Sequence, residues 1–350
     1  MGLHKEFLEL AKENGIKIVF TTHDYFVLCP KNNLLDYKDE LCDNYENGEK
    51  CVLCNSNSYS SNHIYITKSS VYKKLRSNKY CYNFFRRLKN NKCVALIKNN
   101  IGEQNARKTT LNNTIDIKRP KEYIALRNYY LDMLRLIDYL HFNSNISKNE
   151  FKKYVDIEGE VINISHNDIK DIRVKKNVEK DKELRLTYLG STKSYKGFYL
   201  LKESLAILQK NKNIDWVLNV YGDSKKIESD NCKIIFNGTY DYKMLKNIFN
   251  NTDLLIIPSI WKETFGFVGL EALSYGVPVL VTDNVGMQDN ITGIIVKPDS
   301  TAISEAINRL VNNRNILNEI NESILKMDFQ LTMDIHAIKI INFYKKVMNI

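Results

Sequence analysis

Two glutamates, Glu263 and Glu271, stand on either side of an apolar turn that carries Gly266 and Gly269, in the stretch KETFGFVGLEALSYGVP at residues 262–278. Two chemistries use such a set. Paired carboxylates suit general acid and base work, and a retaining glycoside-cleaving pair holds its carboxyls about 5–5.5 Å apart. Glycines at the opening of a helix suit an anion instead. Free N–H groups and the helix dipole attract negative charge there, and the missing side chain lets a ligand approach the backbone. The run DLLIIPS (253–259) reads as a strand leading into the loop that bears Glu263. TFGFVGLEALSYG then carries helical period, which puts Gly266 and Gly269 at the helix start and Glu271 in its first turns. A hydrolase pair needs a sheet face or barrel rim, nothing in the pattern supports a barrel, and such a pair leaves the glycines without a purpose. The anion-binding reading is therefore preferred. A Rossmann-like domain with incidental acidic residues is the bland alternative.

These residues are positioned by a regular second half. Short β-branched or Leu-rich runs recur at LRLTYLG (184–190), WVLNVYG (216–222), KIIFNG (233–238), DLLIIPS, PVLVTD (278–283) and GIIVKP (293–298). Helix-period segments such as FYLLKESLAILQK and DYKMLKNIFNN lie between them. Strands alternating with helices predict a doubly wound parallel sheet, with ligands outside the C-terminal strand ends at the switch point. The first half is less regular. KEFLELAKENG predicts a helix stopped by Gly15, and IKIVFTTHD (16–24) a strand. A long helical pattern spans EYIALRNYYLDMLRLIDYL (122–140), followed by strand-like HFNS and EVINISH. Residues 30–120 show poor periodicity. A doubly wound domain normally opens on a buried strand and a glycine-rich turn, whereas this chain opens inside a helix. The expectation is an incomplete N-terminal Rossmann-like domain over 1–170 with an insertion at 30–120, a doubly wound domain over 171–330, for which the resemblance described below implies nucleotide-sugar binding, and a C-terminal helix over 331–350.

Composition adds bounds. With 350 residues, 43% of them hydrophobic, the chain can fill two ordinary cores. No apolar run reaches the roughly 18–20 residues of a membrane span. Charges within the first 15 residues argue against a signal peptide, and Glu6 occupies the place where a myristoylation signal needs Ser or Thr. The expected location is the cytoplasm. Cys29, Cys42, Cys51 and Cys54 cluster and end in a C-x-x-C pair, so a structural zinc is the alternative to plain thiols, which are preferred because the spacing is irregular and unpaired. The net charge of +10 is uneven: residues 51–100 hold no Asp or Glu. Lys68, Lys73, Lys74, Arg76, Lys79, Arg86, Arg87, Lys89, Lys92 and Lys98 are interleaved there with Tyr72, Tyr80, Tyr82, Phe84 and Phe85. Segment 68–98 suits an anionic membrane surface, at about 1 kcal/mol per basic side chain, or a solvated cationic helix. RNA is disfavoured without a recognisable binding module.

Residues 181–300 resemble glycosyltransferase family 4, retaining enzymes of GT-B architecture. The family hallmark is Glu, seven residues, then Glu, within P-S-x-x-E-x-F-G-x-x-x-x-E-A-x-A-x-G-x-P-V. This chain supplies Pro258, Ser259, Glu263, Phe265, Gly266, Glu271, Ala272, Gly276, Pro278 and Val279, with a loop one residue longer before Glu263 and Ser274 in place of Ala. GIIVKPDS and YLGSTKSYKGFYLLKESLAIL, which holds Gly190 and the Lys196–Gly197 pair, resemble further family segments. More loosely, VFTTHDYFVLCPKNNLLD, LIDYLHFNSNISKNEF and VINISHNDI resemble the N-terminal domain and linker of bacterial members that build capsule, O-antigen or exopolysaccharide.

The resemblance implies two Rossmann-like parallel-sheet domains, the first of them incomplete, and transfer of a sugar from a nucleoside-diphosphate donor to a lipid-linked or polysaccharide acceptor. Glu271 is then expected to hold the ribose hydroxyls and Glu263 the donor sugar. Lys196 and the amides around Gly266, Phe267 and Val268 take the diphosphate, Gly190 forms the first turn, and Gly238 to Tyr240 contact the base. Glu263 and Lys196 are the expected catalytic residues, and no cofactor or metal is called for. Ser191 departs from the pattern, since many members place Arg there as a second phosphate clamp. His23 ends a predicted strand but is not assigned as a base. A nucleotide-binding remnant without turnover is the rival expectation.

Overall fold

The computed structural model describes residues 3–56, 69–77, 118–210, 215–223, 233–290 and 292–349. Its nine strands among these residues fall into two all-parallel sheets. The first has the order β1 (Val19–Thr21), β2 (Tyr139–Phe142), β3 (Gly159–Val161). The second contains β4 (Leu184–Leu189), β5 (Trp216–Tyr221), β6 (Ile234–Gly238), β7 (Leu254–Ile257), β8 (Val279–Thr282) and β9 (Ile294–Val296), in the order β6-β5-β4-β7-β8-β9. The chain moves outward from β4 to β6, returns to β7 on the other side of β4, and moves outward again. The switch point therefore lies between β4 and β7, where ligands of such sheets bind.

Composition explains the layering. β7 and β8 are buried at every position, as continuous apolar runs of a strand covered on both faces should be. Leu254 and Ile256 point to one face, with Phe198, Leu201 and Leu205 of helix Phe198–Gln209 and Ile303 and Ile307 of helix Ser300–Asn312. Leu255 and Ile257 point to the other, with Leu245 and Ile248 of helix Tyr242–Asn250 and Leu270 and Leu273 of helix Phe267–Ser274. All six strands read from the second half are present, so the doubly wound sheet expected there is found. In the first half, helix Met333–Met348 packs Phe343 and Val347 on Ile162, with Val19 and Tyr139 beside them.

Two boundaries differ from the sequence reading. The helical pattern expected to run to Leu140 stops at Arg135, in helix Lys118–Arg135, and Tyr139 and Leu140 belong to β2. Asp138 makes the break: its carboxylate accepts from Ile18 N at 2.8 Å, and its own N–H donates to Ile18 O at 2.9 Å. Pairing with β1 outweighs the helical period, which both apolar residues also satisfy in a strand. The strand expected over 16–24 narrows to three residues, because pairing with β2 extends only from Val19 to Thr21.

Both sheets lie in one compact unit, residues 1–43 with 126–350, while 44–125 form another. In the second unit short helices occupy Glu49–Cys54 and Ser70–Ser77. Apart from residues 69–77, the basic segment 68–98 lies outside the described residues. Cys29 and Cys51 are buried, Cys42 and Cys54 half-buried, and among the described residues no group of three His, Cys, Asp or Glu could hold a metal ion. Among them, too, no helix is long and apolar enough to cross a membrane.

Candidate active site at the switch point

Strand β7 ends at Ile257, and the chain then turns through Pro258 and Ser259 towards Glu263. Gly266 caps the following helix with φ of 106°, a backbone state that side chains rarely adopt, and a Cβ there would stand 2.7 Å from Val285. At the end of the turn after β4, Gly197 (φ 75°) lies so close to the Pro258 carbonyl that any Cβ would collide with it. That contact brings Lys196 against the β7 loop. Its Nζ donates to Glu263 Oε1 at 2.5 Å, and the same oxygen accepts from Ser259 Oγ at 2.7 Å and Trp261 Nε1 at 3.1 Å. Glu263 is buried, and the Lys196 ammonium also sits 5.1 Å from the centre of the Trp261 ring. Glu263 Oε2 faces the Gly266 turn, 3.3 Å from the position a Cβ would take.

A cavity of about 350 Å³ opens over this cluster. Gly190, Lys196, Glu263, Gly266, Phe267 and Val268 all line it, so six residues expected at the site come together around one space. His23, set aside from the sequence, lines it as well. The cavity offers a fixed cation, a helix N-terminus with a glycine cap, and a carboxylate whose charge is held by three donors. Such a surface stabilises an anion close to a group that can accept hydroxyl hydrogen bonds.

Glu271 faces a second cavity, of about 230 Å³, with His166, Asp168, Tyr242, Ser274 and Tyr275. Its residue is 5% exposed, and burial, with the Asp168 charge adding to it, pushes the carboxyl up to about 7. His166 Nε2 stands 3.4 Å from Glu271 Oε1, yet burial moves the imidazole below its ordinary range. Both groups are driven towards their neutral forms, so their proximity does not amount to an ion pair at neutral pH. Tyr240 lies edge-on to Tyr221 with centroids 6.4 Å apart, and burial followed by the charge of Glu271 raises its phenol to about 12. Gly238 closes β6 outside the linings of both cavities.

The loop from Ile260 to Thr264 also joins the two sheets of the unit. Thr264 Oγ1 donates to His23 O at 2.8 Å, Trp261 packs against the first-half core, and Lys262 pairs with Glu150, a buried residue of helix Asn145–Lys152. Glu150 keeps a second partner in Lys153 at 2.8 Å. Lys262→Met is expected to lower stability by about 2 kcal/mol, because a buried carboxylate loses one of two cations. Lys262→Arg should recover most of the loss in urea unfolding. Equal stability of the Met variant and the parent would show that the pair carries nothing.

His166, Trp261 and Lys262 were not legible as site residues. His166 lies 105 positions before Glu271 (271 − 166) in a linker without periodicity, and only the fold brings them together. The extra loop residue ahead of Glu263 was visible, and Lys262 on Glu150 is what the longer loop contains.

Comparison with known proteins shows what the chain is similar to. Residues 169–327 match the family model described as glycosyl transferases group 1. An uncharacterized 41.2 kDa protein in the cps region of Klebsiella pneumoniae is 31% identical over 170 residues, covering 44% of this chain and 43% of the relative. The capsular polysaccharide biosynthesis glycosyltransferase CapM of Staphylococcus aureus is 26% identical over 148 residues, 39% of each chain. The chain thus spans less than half the length of the curated relatives it matches. Among solved structures, Anabaena HepE in complex with UDP-glucose superposes with a TM-score of 0.50 and 16% identity, covering 66% of this chain and 70% of that one. That likeness is one of fold, and with the two parallel sheets it bears out the expected GT-B class.

Proposed function

We propose, from the match of residues 169–327 to group 1 glycosyl transferases, that this chain transfers a sugar from a nucleoside-diphosphate donor to the hydroxyl of a lipid-linked or polysaccharide acceptor. One observation carries the reading: two cavities border helix Phe267–Ser274 at the sheet's switch point, one over Lys196 and the helix start, the other over Glu271. The first, with the Lys196 ammonium and the N-terminus of that helix, suits a diphosphate. The second, where Glu271 and His166 present unpaired acceptors, suits the hydroxyls of a ribose. HepE, of the same fold, holds UDP-glucose, and CapM belongs to capsular polysaccharide biosynthesis; both are consistent with such a donor and a glycan product.

In this reading Lys196 and the amides at Phe267 and Val268 meet the charge that develops on the departing diphosphate, and Glu263 orients the sugar through Oε2. Fixed donors aimed at developing charge lower a barrier without reorganising, and each is worth about 2.7–4 kcal/mol. The acceptor hydroxyl gives its proton to the departing diphosphate oxygen as the new glycosidic bond forms, so no protein carboxylate has to move it, and the proposal includes retention at the anomeric carbon, as in family 4. The assignment extends to a hexosyltransferase that needs no resident cofactor, works on the cytoplasmic side and touches anionic lipid through segment 68–98.

Incubation of the purified chain with UDP-, GDP- and ADP-sugars tests the proposal, with release of nucleoside diphosphate as the readout. Turnover should appear with one base and fall at least 100-fold in Glu271→Ala. Micromolar nucleotide binding without transfer or hydrolysis would favour a nucleotide-binding subunit instead.

A further inference from the structure

The cavity at Glu271 presents two acceptors side by side. Glu271 Oε2 and His166 Nε2 are both buried, and among the described residues neither has a hydrogen-bond partner. Nε2 stands 3.4 Å from the other carboxylate oxygen, without the geometry of a hydrogen bond. The ring's opposite nitrogen, Nδ1, faces Asp168 Oδ2 at 3.7 Å. Burial keeps the imidazole neutral, and the Asp168 charge favours the single ring proton on Nδ1, which leaves a lone pair on Nε2. The ring plane is fixed by edge contacts with Tyr242 at 5.5 Å and Phe267 at 5.3 Å.

Each unpaired buried acceptor costs about 1–3 kcal/mol, which a ligand recovers only by supplying a donor to it. An anion supplies no donor and leaves both acceptors unpaired. A metal ion needs a third ligand, but Asp168 faces the other ring nitrogen and no three-residue group exists among the described residues. A vicinal diol carries two hydroxyl donors on adjacent carbons, and two neighbouring acceptors can each take one of them at an ordinary hydrogen-bond length of about 2.7–2.8 Å. We propose that His166 is a specificity-determining residue of the nucleotide site: it accepts one ribose hydroxyl while Glu271 accepts the other, so the site selects ribonucleotides over their deoxy counterparts. This rests on the donor-nucleotide reading above.

Calorimetric titration with UDP, GDP and ADP identifies the ribonucleoside diphosphate that binds, and its 2′-deoxy and 3′-deoxy analogues are then compared. The parent should prefer the ribonucleotide by about 10- to 100-fold over at least one analogue, the effect of leaving a buried acceptor unpaired. His166→Phe keeps the ring contacts but has no acceptor, and it should reduce that preference to a few-fold. His166→Ala should do the same, and His166→Gln, whose amide oxygen accepts, should restore part of it. The inference is overturned if His166→Phe or His166→Ala weakens ribonucleotide and analogue equally, or if neither change alters discrimination. Failure of all three ribonucleotides to bind the parent would instead overturn the donor reading, and the inference with it.

Discussion

Glu271→Gln should make the protein more stable at pH 8 while weakening its nucleotide binding about 10- to 100-fold. The two effects share one cause. Burial raises the carboxyl from 4.5 to about 7, so the folded chain keeps a proton that the unfolded chain releases between those values. Across that window the folded state binds more protons, and stability therefore falls as pH rises. Above pH 7 both states are ionised and the fold bears the whole cost, about 3 kcal/mol at about 1.4 kcal/mol per pH unit. Glutamine keeps the shape without the charge. Its advantage should be close to zero near pH 4.5, grow to pH 7 and then level off, in urea unfolding at a series of pH values. An advantage that is the same at every pH would sink the explanation. The binding loss follows because a hydrogen bond from a ribose hydroxyl to a charged acceptor is worth about 1.5–3 kcal/mol. A carboxylate kept at such a cost to the fold is expected where function needs it.

Lys196→Met should lower turnover about 10²- to 10³-fold with a much smaller change in nucleotide affinity. The ammonium is 2.5 Å from Glu263 Oε1 in the free protein, so part of its charge is already compensated when the donor arrives. It becomes most useful as negative charge grows on the leaving diphosphate, and loss of one such donor costs about 2.7–4 kcal/mol of barrier. Lys196→Arg keeps the charge but replaces a compact ammonium by a broad planar fork, and recovers only part of the rate. Separate measurement of kcat and of the Kd for the nucleoside diphosphate decides the matter. If affinity falls as far as kcat, Lys196 is a binding residue rather than one aimed at the transition state.

The strand, turn and helix around Glu263 and Glu271 were readable because their logic is local. A strand, a glycine-capped turn and a helix succeed one another between residues 253 and 274, and the spacing of Glu263, Gly266 and Glu271 follows from that succession. Six strands announced themselves as buried apolar runs. What could not be read depends on contacts distant in sequence. Leu140 fits the period of a helix as well as a strand, and only the exchange of hydrogen bonds between Asp138 and Ile18 decides for the strand. Likewise nothing in VINISHNDI marks His166 as a neighbour of Glu271. That the two glutamates face different cavities was also hidden, because their spacing in sequence says little about where each side of a helix start opens.

The contact between Trp261 and Glu263 has an optical consequence. The chain contains two tryptophans, and they report on different places: Trp216 is wholly buried in the core beneath helix Phe198–Gln209, whereas Trp261 lines the cavity over Glu263 with its indole N–H on that carboxylate. Intrinsic fluorescence is therefore divided by location. With Trp216 replaced by phenylalanine, the remaining emission comes from a single indole whose hydrogen bond, ammonium neighbour and packing against the first sheet's core all belong to the loop around Glu263. The molecule carries its own chromophore at the point where its two sheets meet beside the cavity over Glu263.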